Sequence, residues 1–285
     1  MTTREASHAA EPGVVEQLAA WVLAMQARDL SQAAILQAKL LLLDTIGCGF
    51  AALDEQSARA LLAVVETSGG APQCTIIGRP RRTSAPNAVL ANGALVRILD
   101  FNDYVNAKGG DLGGHPSDNI PVALAAGELA GASGREVIAA VVLGYEIFGR
   151  CKELMERDSA WDGVTVSGLA APARLEIVND SAWNRRAPDS YPCSLEVLTE
   201  DGREEVVEVP YPPGFSRGRL EAETVIKKFG ALTAPHLAQR ARDRIIEAVM
   251  ALDASASCAE LMAALATDSA AMPERSRAPS ASQLG

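Results

Sequence analysis

Apolar residues follow a helical period through most of the first 170 positions and then cease to do so. Over residues 14–25 they fall at Val14, Val15, Leu18, Trp21, Val22 and Met25, one stripe of a helix. Residues 32–53 are apolar on nearly every side, as in a helix buried all round. Gly47 and Gly49 within it predict close approach by another backbone or a local kink. A third helix is expected over residues 56–66. Ser84 is placed to cap a fourth, through Asn87, Leu90 and Leu95 to Ile98, which leaves Asp100 and Asp103 at its C-terminal end. Acids there face the negative pole of the helix dipole, and such local conflicts gather at functional sites. Ser117 is placed to begin the next helix, which runs through Ala130. Ser133-Gly134-Arg135-Glu136 then reads as a capping box ahead of the apolar face Val137, Val141, Tyr145 and Phe148.

The pattern changes at Arg174. Residues 174–178 read as a strand, and 194–198 and 203–209 as two strands joined by a turn containing Asp201-Gly202, a strong hairpin signal. Helical periodicity returns over 221–229 and 238–252, and from about residue 268 the chain is rich in Ser, Ala and Pro. The organisation expected is therefore mainly α, with a large all-helical domain and a truncated α/β lid-type domain. The boundaries are a disordered N-terminus over 1–12, the helical domain over 13–173, the α/β remnant over 174–235, helices returning to the helical domain over 236–267, and a disordered tail over 268–285.

Composition narrows the picture. Aromatics make up only 4% of 285 residues and alanine is abundant, which suits close helix–helix contact through small side chains. A formal charge of −10 argues against general nucleic-acid binding, which needs a basic surface, so an anionic ligand requires a local cluster of cations. The apolar run 35–53 carries Lys39 and Asp44, which a membrane span rarely tolerates, and the N-terminus lacks the apolar core of a signal peptide. No membrane association and a cytoplasmic location are expected. Cys48, Cys74, Cys151, Cys193 and Cys258 are far apart and form no Cys-x-x-Cys pair, so neither a zinc site nor an iron–sulfur cluster is indicated.

The candidate chemistry lies in LDFNDYVNAKGGDLGGHPSDN, residues 99–119. It sets Asp100 and Asp103 beside a glycine-rich loop that ends in His115-Pro116, and His115 is one of only three histidines in the chain. A histidine close to a carboxylate pair is a proton shuttle in the making, while the plainer reading is a polar helix end followed by a loop. His115 is the choice for proton transfer, with Asp100 as base or orienter. Asp103 reads as a supporting residue or a helix-end cap. Lys108 is the better candidate to bind a carboxylate; for Gly78-Arg79-Pro80-Arg81-Arg82 a solvated basic turn is favoured. Ser117 reads as a helix cap rather than a nucleophile, since no second histidine is at hand to activate it. A metal site built from Asp100, Asp103, Asp111 and His115 matches no loop spacing that would justify it.

Leu99-Asp100-Phe101-Asn102-Asp103 followed by Gly114-His115-Pro116-Ser117-Asp118-Asn119 resembles the signature of the MmgE/PrpD family. Residues 40–48 (LLLLDTIGC), Ala91-Asn92-Gly93-Ala94, Trp161-Asp162-Gly163-Val164-Thr165, residues 192–202, Pro213-Gly214 and Lys228-Phe229 resemble further family segments. The resemblance implies a helical domain with a smaller lid, and a metal-independent lyase or isomerase without a cofactor, acting on a small polycarboxylate as a homodimer. It implies catalytic roles for Asp100 and His115, and places Asp103, Tyr104, Lys108, Ser117, Trp161 and Asp162 about the substrate. Tyr104 stands where the family usually has Thr and still offers a hydroxyl. The chain departs from the pattern in two ways. Gly163 occupies the position of a family histidine, and a central block appears to be missing between Ala173 and Arg174. The expected function is a 2-methylcitrate dehydratase-like removal of water. The alternatives are a cis-aconitate decarboxylase or epimerase, or an inactive shortened member that binds a polycarboxylate or pairs with a full-length partner.

Overall fold

Residues 32–53 form the axis of the molecule because their sequence leaves no polar face to turn to water. The computed structural model describes residues 13–25, 27–106, 113–155, 186, 193–198, 202–209 and 220–267. Helix α1 is Val14–Ala24, α2 is Gln32–Ala51, α3 is Gln56–Ser68 and α4 is Ala85–Arg97. The ladder β1 (Val105–Asn106) with β2 (Gly113–Gly114) precedes α5 (Ile120–Ala130) and α6 (Gly134–Met155). A hairpin of β3 (Cys193–Leu198) and β4 (Glu204–Val209) is followed by α7 (Ala222–Thr233), α8 (Gln239–Met250) and α9 (Ala259–Leu265). The fold is mainly α.

Helix α2 begins at Ser31, whose hydroxyl accepts the Ala34 N–H at 3.1 Å. Its length and hydropathy would suit a bilayer, yet from Leu42 to Phe50 every residue is buried against α4, α6, α7 and α8. Gly47 marks the closest crossing, as the sequence predicts. A Cβ there would lie 3.3 Å from the Phe229 ring and 3.5 Å from its Cα, so α7 sits directly on the α2 backbone. Val225, Phe229 and Thr233 form the buried stripe of α7. Helix α7 thus joins the helical body, although the sequence groups it with the α/β remnant over 174–235. Its apolar stripe finds its partner on α2, and the two-stranded hairpin offers no comparable surface.

The capping box forms as expected. The Ser133 N–H donates to Glu136 Oε2 at 2.7 Å, and the Glu136 N–H reaches Ser133 Oγ at 3.3 Å. The turn before it closes on Gly131, whose φ of +59° suits glycine and lets the Ala132 N–H cap the Gly127 carbonyl at 2.9 Å. Two expected caps do not form. Ser84 sits at the N-cap of α4 without a side-chain hydrogen bond. Ser117 lies inside a 3-10 turn, Pro116–Asn119, ahead of α5, and it is fully buried. Its hydroxyl is taken by a residue of the loop before it, so it has nothing left for a helix end. Helix α1 forms, but none of its residues is buried; Trp21 carries the Arg150 guanidinium over its ring at 4.9 Å.

The basic turn 78–82 is exposed at Pro80, Arg81 and Arg82, as expected of a solvated turn, while the strand-like segment before it is firmly held. Asn92 accepts the Ile77 N–H and donates to the Thr75 carbonyl, both at 2.9 Å. Glu128 accepts from the Thr75 N–H at 2.7 Å and its hydroxyl at 2.8 Å, and from Arg82 at 2.6 Å. The side chains of Asn92, Thr75 and Glu128 all have partners here, which is what makes their burial affordable, whereas Arg79 Nε in the turn itself is buried without one.

Beyond residue 155 the description is partial. The hairpin runs in register from Cys193↔Val209 to Leu198↔Glu204, with Gly202 at φ +81° in the connection. Leu198, Val206 and Val207 are all exposed, and the neighbours Val206 and Val207 lie on opposite faces of β4. The strand expected over 174–178 and the disorder expected over 1–12 and 268–285 lie outside the described residues.

Lys39, buried in α2, donates to the Met250 carbonyl at 2.7 Å and pairs with Asp253. The hydrogen bond from Lys39 holds the Asp253 carboxyl below the usual carboxylate range. A depressed native pKa gives stability that is complete above the unfolded value near ~4 and is lost as pH falls through the native one. Asp253→Asn is therefore expected to melt below the parent at pH 7, with the gap closing as the pH drops beneath ~4. A gap of constant size in calorimetric melts from pH 7 to pH 3 would contradict this pairing.

Candidate active site

The end of α4 and the start of α5 are drawn together by the β1–β2 ladder, in which Val105 pairs with Gly114 and Asn106 with Gly113. This brings residues 98–104 against 115–119. Below them, a Cβ at Gly144 of α6 would lie 3.3 Å from Asn119 Cβ, so α6 approaches the turn and sets Tyr145 beneath it.

His115 is held from one side. Its Nδ1 lies 2.5 Å from the Asp103 carbonyl oxygen. A carbonyl only accepts, so Nδ1 carries the hydrogen and, in the neutral ring, Nε2 keeps its lone pair. Nε2 faces Asp100 Oδ1 at 3.6 Å. The Tyr104 ring meets the imidazole edge-on, with centroids 5.2 Å apart and planes at 71°, so it walls the histidine with its ring.

Asp100 stands at φ +54°, the only non-glycine residue at positive φ among those described. Aspartate tolerates this left-handed conformation better than most residues, and such strain clusters at functional sites. The Asp100 N–H bonds the Arg97 carbonyl at 3.1 Å and its carboxylate pairs with the Arg97 guanidinium. The conflict between acids and the helix end is thus relieved by the last basic residue of α4. Asp100 is 57% exposed against 14% for His115, so the pair opens to solvent through the carboxylate.

Asp103 faces inward. Its Oδ1 accepts the Ser117 N–H at 3.2 Å, which secures the 3-10 turn, while its backbone carbonyl holds His115. Its Oδ2 and the Tyr145 hydroxyl are both buried and neither has a well-aligned hydrogen bond. Burial first, and then the Asp103 carboxylate, push the Tyr145 phenol well above its usual range. Asn102 Nδ2 donates to Ser117 Oγ at 3.0 Å and to Asp118 Oδ1 at 3.1 Å. Arg97 Nε lies 3.8 Å from Asp118 Oδ2; burial raises the Asp118 carboxyl and that guanidinium opposes the rise.

One layer deeper, Lys228 Nζ of α7 lies 2.7 Å from Asp44 Oδ1 of α2 and donates to the Phe101 carbonyl at 2.6 Å. Burial raises the Asp44 carboxyl, and the Lys228 ammonium works against that rise. Nearby, burial and the Asp44 charge push the Cys48 thiol up to about 12, which keeps it protonated and unreactive.

Asp100, Asp103, Tyr104, His115 and Ser117 are therefore assembled in one cluster. Lys108, Trp161 and Asp162 lie outside the described residues. Periodicity misses three contributors: Asp44, a charge inside an apolar helix; Lys228, on a helix far along the chain; and Tyr145, which reads as part of an apolar face. The signal that could have found Asp44 is the charge itself, since an acid buried in a helix of leucines needs a cation. Two cations of the site face carboxylates: Arg97 meets Asp100 and Asp118, and Lys228 meets Asp44. Among the described residues no group of three or more His, Cys, Asp or Glu is arranged to hold a metal ion.

The chain is 29% identical over 147 residues to the cis-aconitate decarboxylase-like protein oryM of Aspergillus oryzae, a match covering 48% of the chain and 29% of that protein. It is 33% identical over 120 residues to the 2-methylcitrate dehydratase of Escherichia coli, covering 38% of the chain and 24% of that protein. It is 36% identical over 92 residues to a probable 2-methylcitrate dehydratase of Saccharomyces cerevisiae, covering 32% and 17% respectively. The matches span less than a third of each relative's length. The model of the MmgE/PrpD N-terminal domain matches residues 16–175, the stretch that carries the His115–Asp100 cluster, and that of the C-terminal domain matches residues 169–254, which include Lys228. The chain belongs to the MmgE/PrpD family.

Proposed function

We propose that the chain is a lyase for a small polycarboxylate, acting most nearly as a 2-methylcitrate dehydratase does. The observation that carries this reading is the orientation of His115. With Nδ1 fixed on a backbone carbonyl, Nε2 is the proton-transferring atom, and Asp100 stands 3.6 Å away to orient and balance the imidazolium it becomes. Removal of water from a citrate-like substrate needs a base for a carbon-bound proton and a proton for the departing hydroxyl. His115 takes the first, and the Asp100–His115 pair is placed to return a proton to the second. The Arg97 guanidinium pairs with the Asp100 carboxylate and fixes its direction. Relatives named as 2-methylcitrate dehydratases support water removal; the cis-aconitate decarboxylase-like relative keeps decarboxylation as the nearest variant, with epimerisation beyond it. Substrate carboxylates would be met by Lys108 together with whatever share of Arg97 they win from Asp100. Action in the cytoplasm, in propionate metabolism and as a homodimer belongs to the same proposal.

A second reading has its own observation. The cations of the described site are already paired with acids, and Gly163 cannot transfer a proton, which favours a shortened member that binds a polycarboxylate without turnover or pairs with a full-length partner. Calorimetric melts separate the readings, with citrate, 2-methylcitrate, cis-aconitate and itaconate added in turn. A ligand at a hundred times its Kd stabilises the native state by about 2.7 kcal/mol, so one of these compounds is expected to raise the melting temperature and then to be turned over. A rise without turnover supports the second reading. A melt that ignores all four compounds overturns both as far as polycarboxylates are concerned, and leaves pairing with a full-length homologue to be sought by co-purification.

A further inference from the structure

Lys228 reaches two groups that have little reason to share a partner. One is Asp44, buried within the apolar helix α2, and the other is the backbone carbonyl of Phe101. The pair is buried at Asp44 and only half-buried at Lys228, and taking the carboxylate out of water carries a desolvation cost that an apolar side chain at Asp44 would not incur. Asp44 shows that cost, since its carboxyl is raised by burial even with the ammonium beside it. What apolar side chains cannot do is grip the Phe101 carbonyl.

Phe101 directly follows Asp100, the residue held at φ +54°. A left-handed aspartate persists only where its surroundings over-determine it. Here the Asp100 side chain is held by Arg97, its N–H by the Arg97 carbonyl, and the next peptide by Lys228. Asp44 anchors the ammonium from below and so fixes the direction from which the carbonyl is gripped. We propose that Lys228, anchored by Asp44, is a positioning residue that clamps the Phe101 carbonyl and thereby keeps Asp100 in its strained turn against His115. The clamp makes the geometry of a site built from residues 97–104 and 115–118 depend on docking of α7 from the C-terminal half. It touches no reacting atom. It rests on the lyase reading only for what turnover would report.

The test uses the full chain and three variants: Asp44→Leu/Lys228→Met, Lys228→Arg and Asp44→Asn. The apolar double variant is expected to melt at or above the parent temperature. Amide exchange over residues 98–104, followed by mass spectrometry without ligand, is expected to quicken by about tenfold while the core helices keep their protection. Where the parent turns over a polycarboxylate, kcat falls by roughly tenfold or more with KM little changed, because the fault lies in alignment and not in binding. Lys228→Arg retains both a charge for Asp44 and a donor for Phe101, and restores exchange and kcat toward the parent. Parent-like exchange over 98–104 in a folded double variant overturns the clamp. Should the double variant not fold, Asp44→Asn decides: quickened exchange confined to 98–104 supports the clamp, and parent-like exchange there overturns it. A parent inactive on every polycarboxylate removes the lyase reading and leaves the exchange result to judge the clamp alone.

Discussion

His115→Ala and Asp100→Asn are each expected to lower turnover by about 10²- to 10⁴-fold, the usual worth of a positioned proton-transfer group, and to leave the fold intact. The structural side of this expectation is specific. Asparagine tolerates the left-handed region as aspartate does, so Asp100→Asn keeps the backbone at φ +54° and removes only the charge that faces His115 and Arg97. His115→Ala frees the Asp103 carbonyl in a loop beside exposed residues, where water replaces the lost donor. Steady-state rates on the compound that raises the melting temperature, read beside circular dichroism of each variant, provide the check. Parent-like rates in both variants would remove the assigned proton path. A loss in His115→Ala with none in Asp100→Asn would leave the histidine in place and make Asp100 a bystander.

Phe229→Ala should be the most damaging single change to stability, by about 3–5 kcal/mol. Phe229 has no exposed surface, and its ring lies against the Gly47 backbone at the crossing of α2 and α7. Truncation leaves a void that the neighbours cannot close, because α2 already presents glycine at the crossing. Since Lys228 is the adjacent residue, loosening α7 also loosens the grip on Phe101, and the site should suffer with the fold. Denaturant unfolding monitored by far-ultraviolet dichroism measures the loss. A change below about 1 kcal/mol would mean that α7 is not docked on α2 in the way described, since a well-packed phenylalanine cannot be removed so cheaply.

The helices, the capping box at Ser133 and the close crossing at Gly47 were legible because each depends on residues a few positions apart, or on the mere absence of a side chain. The motif around Asp100 and His115 was legible for the same reason, being nearly contiguous. Ser117 was misread as a helix cap. Its type suits that role, but the 3-10 turn moved the helix start to Ile120, and Asn102 took the hydroxyl. The basic turn at 78–82 is solvated as its composition suggests, but the anchoring of Arg82 and Thr75 by Glu128 was not legible, because Glu128 lies on a different helix.

By itself, then, the sequence determined the helical character of the body, the ends of most helices, and which short segment brings Asp100 and His115 together. Local periodicity and capping chemistry are enough for that. Only the tertiary structure decided that Asp44 meets Lys228, that Tyr145 lies beneath Asp103, and that the Asp103 carbonyl sets the tautomer of His115. These contacts join α2, α6, α7 and a loop, and no spacing along the chain encodes them. They exist because burying the apolar faces of those helices forces a few polar groups into one place, where each must find a partner.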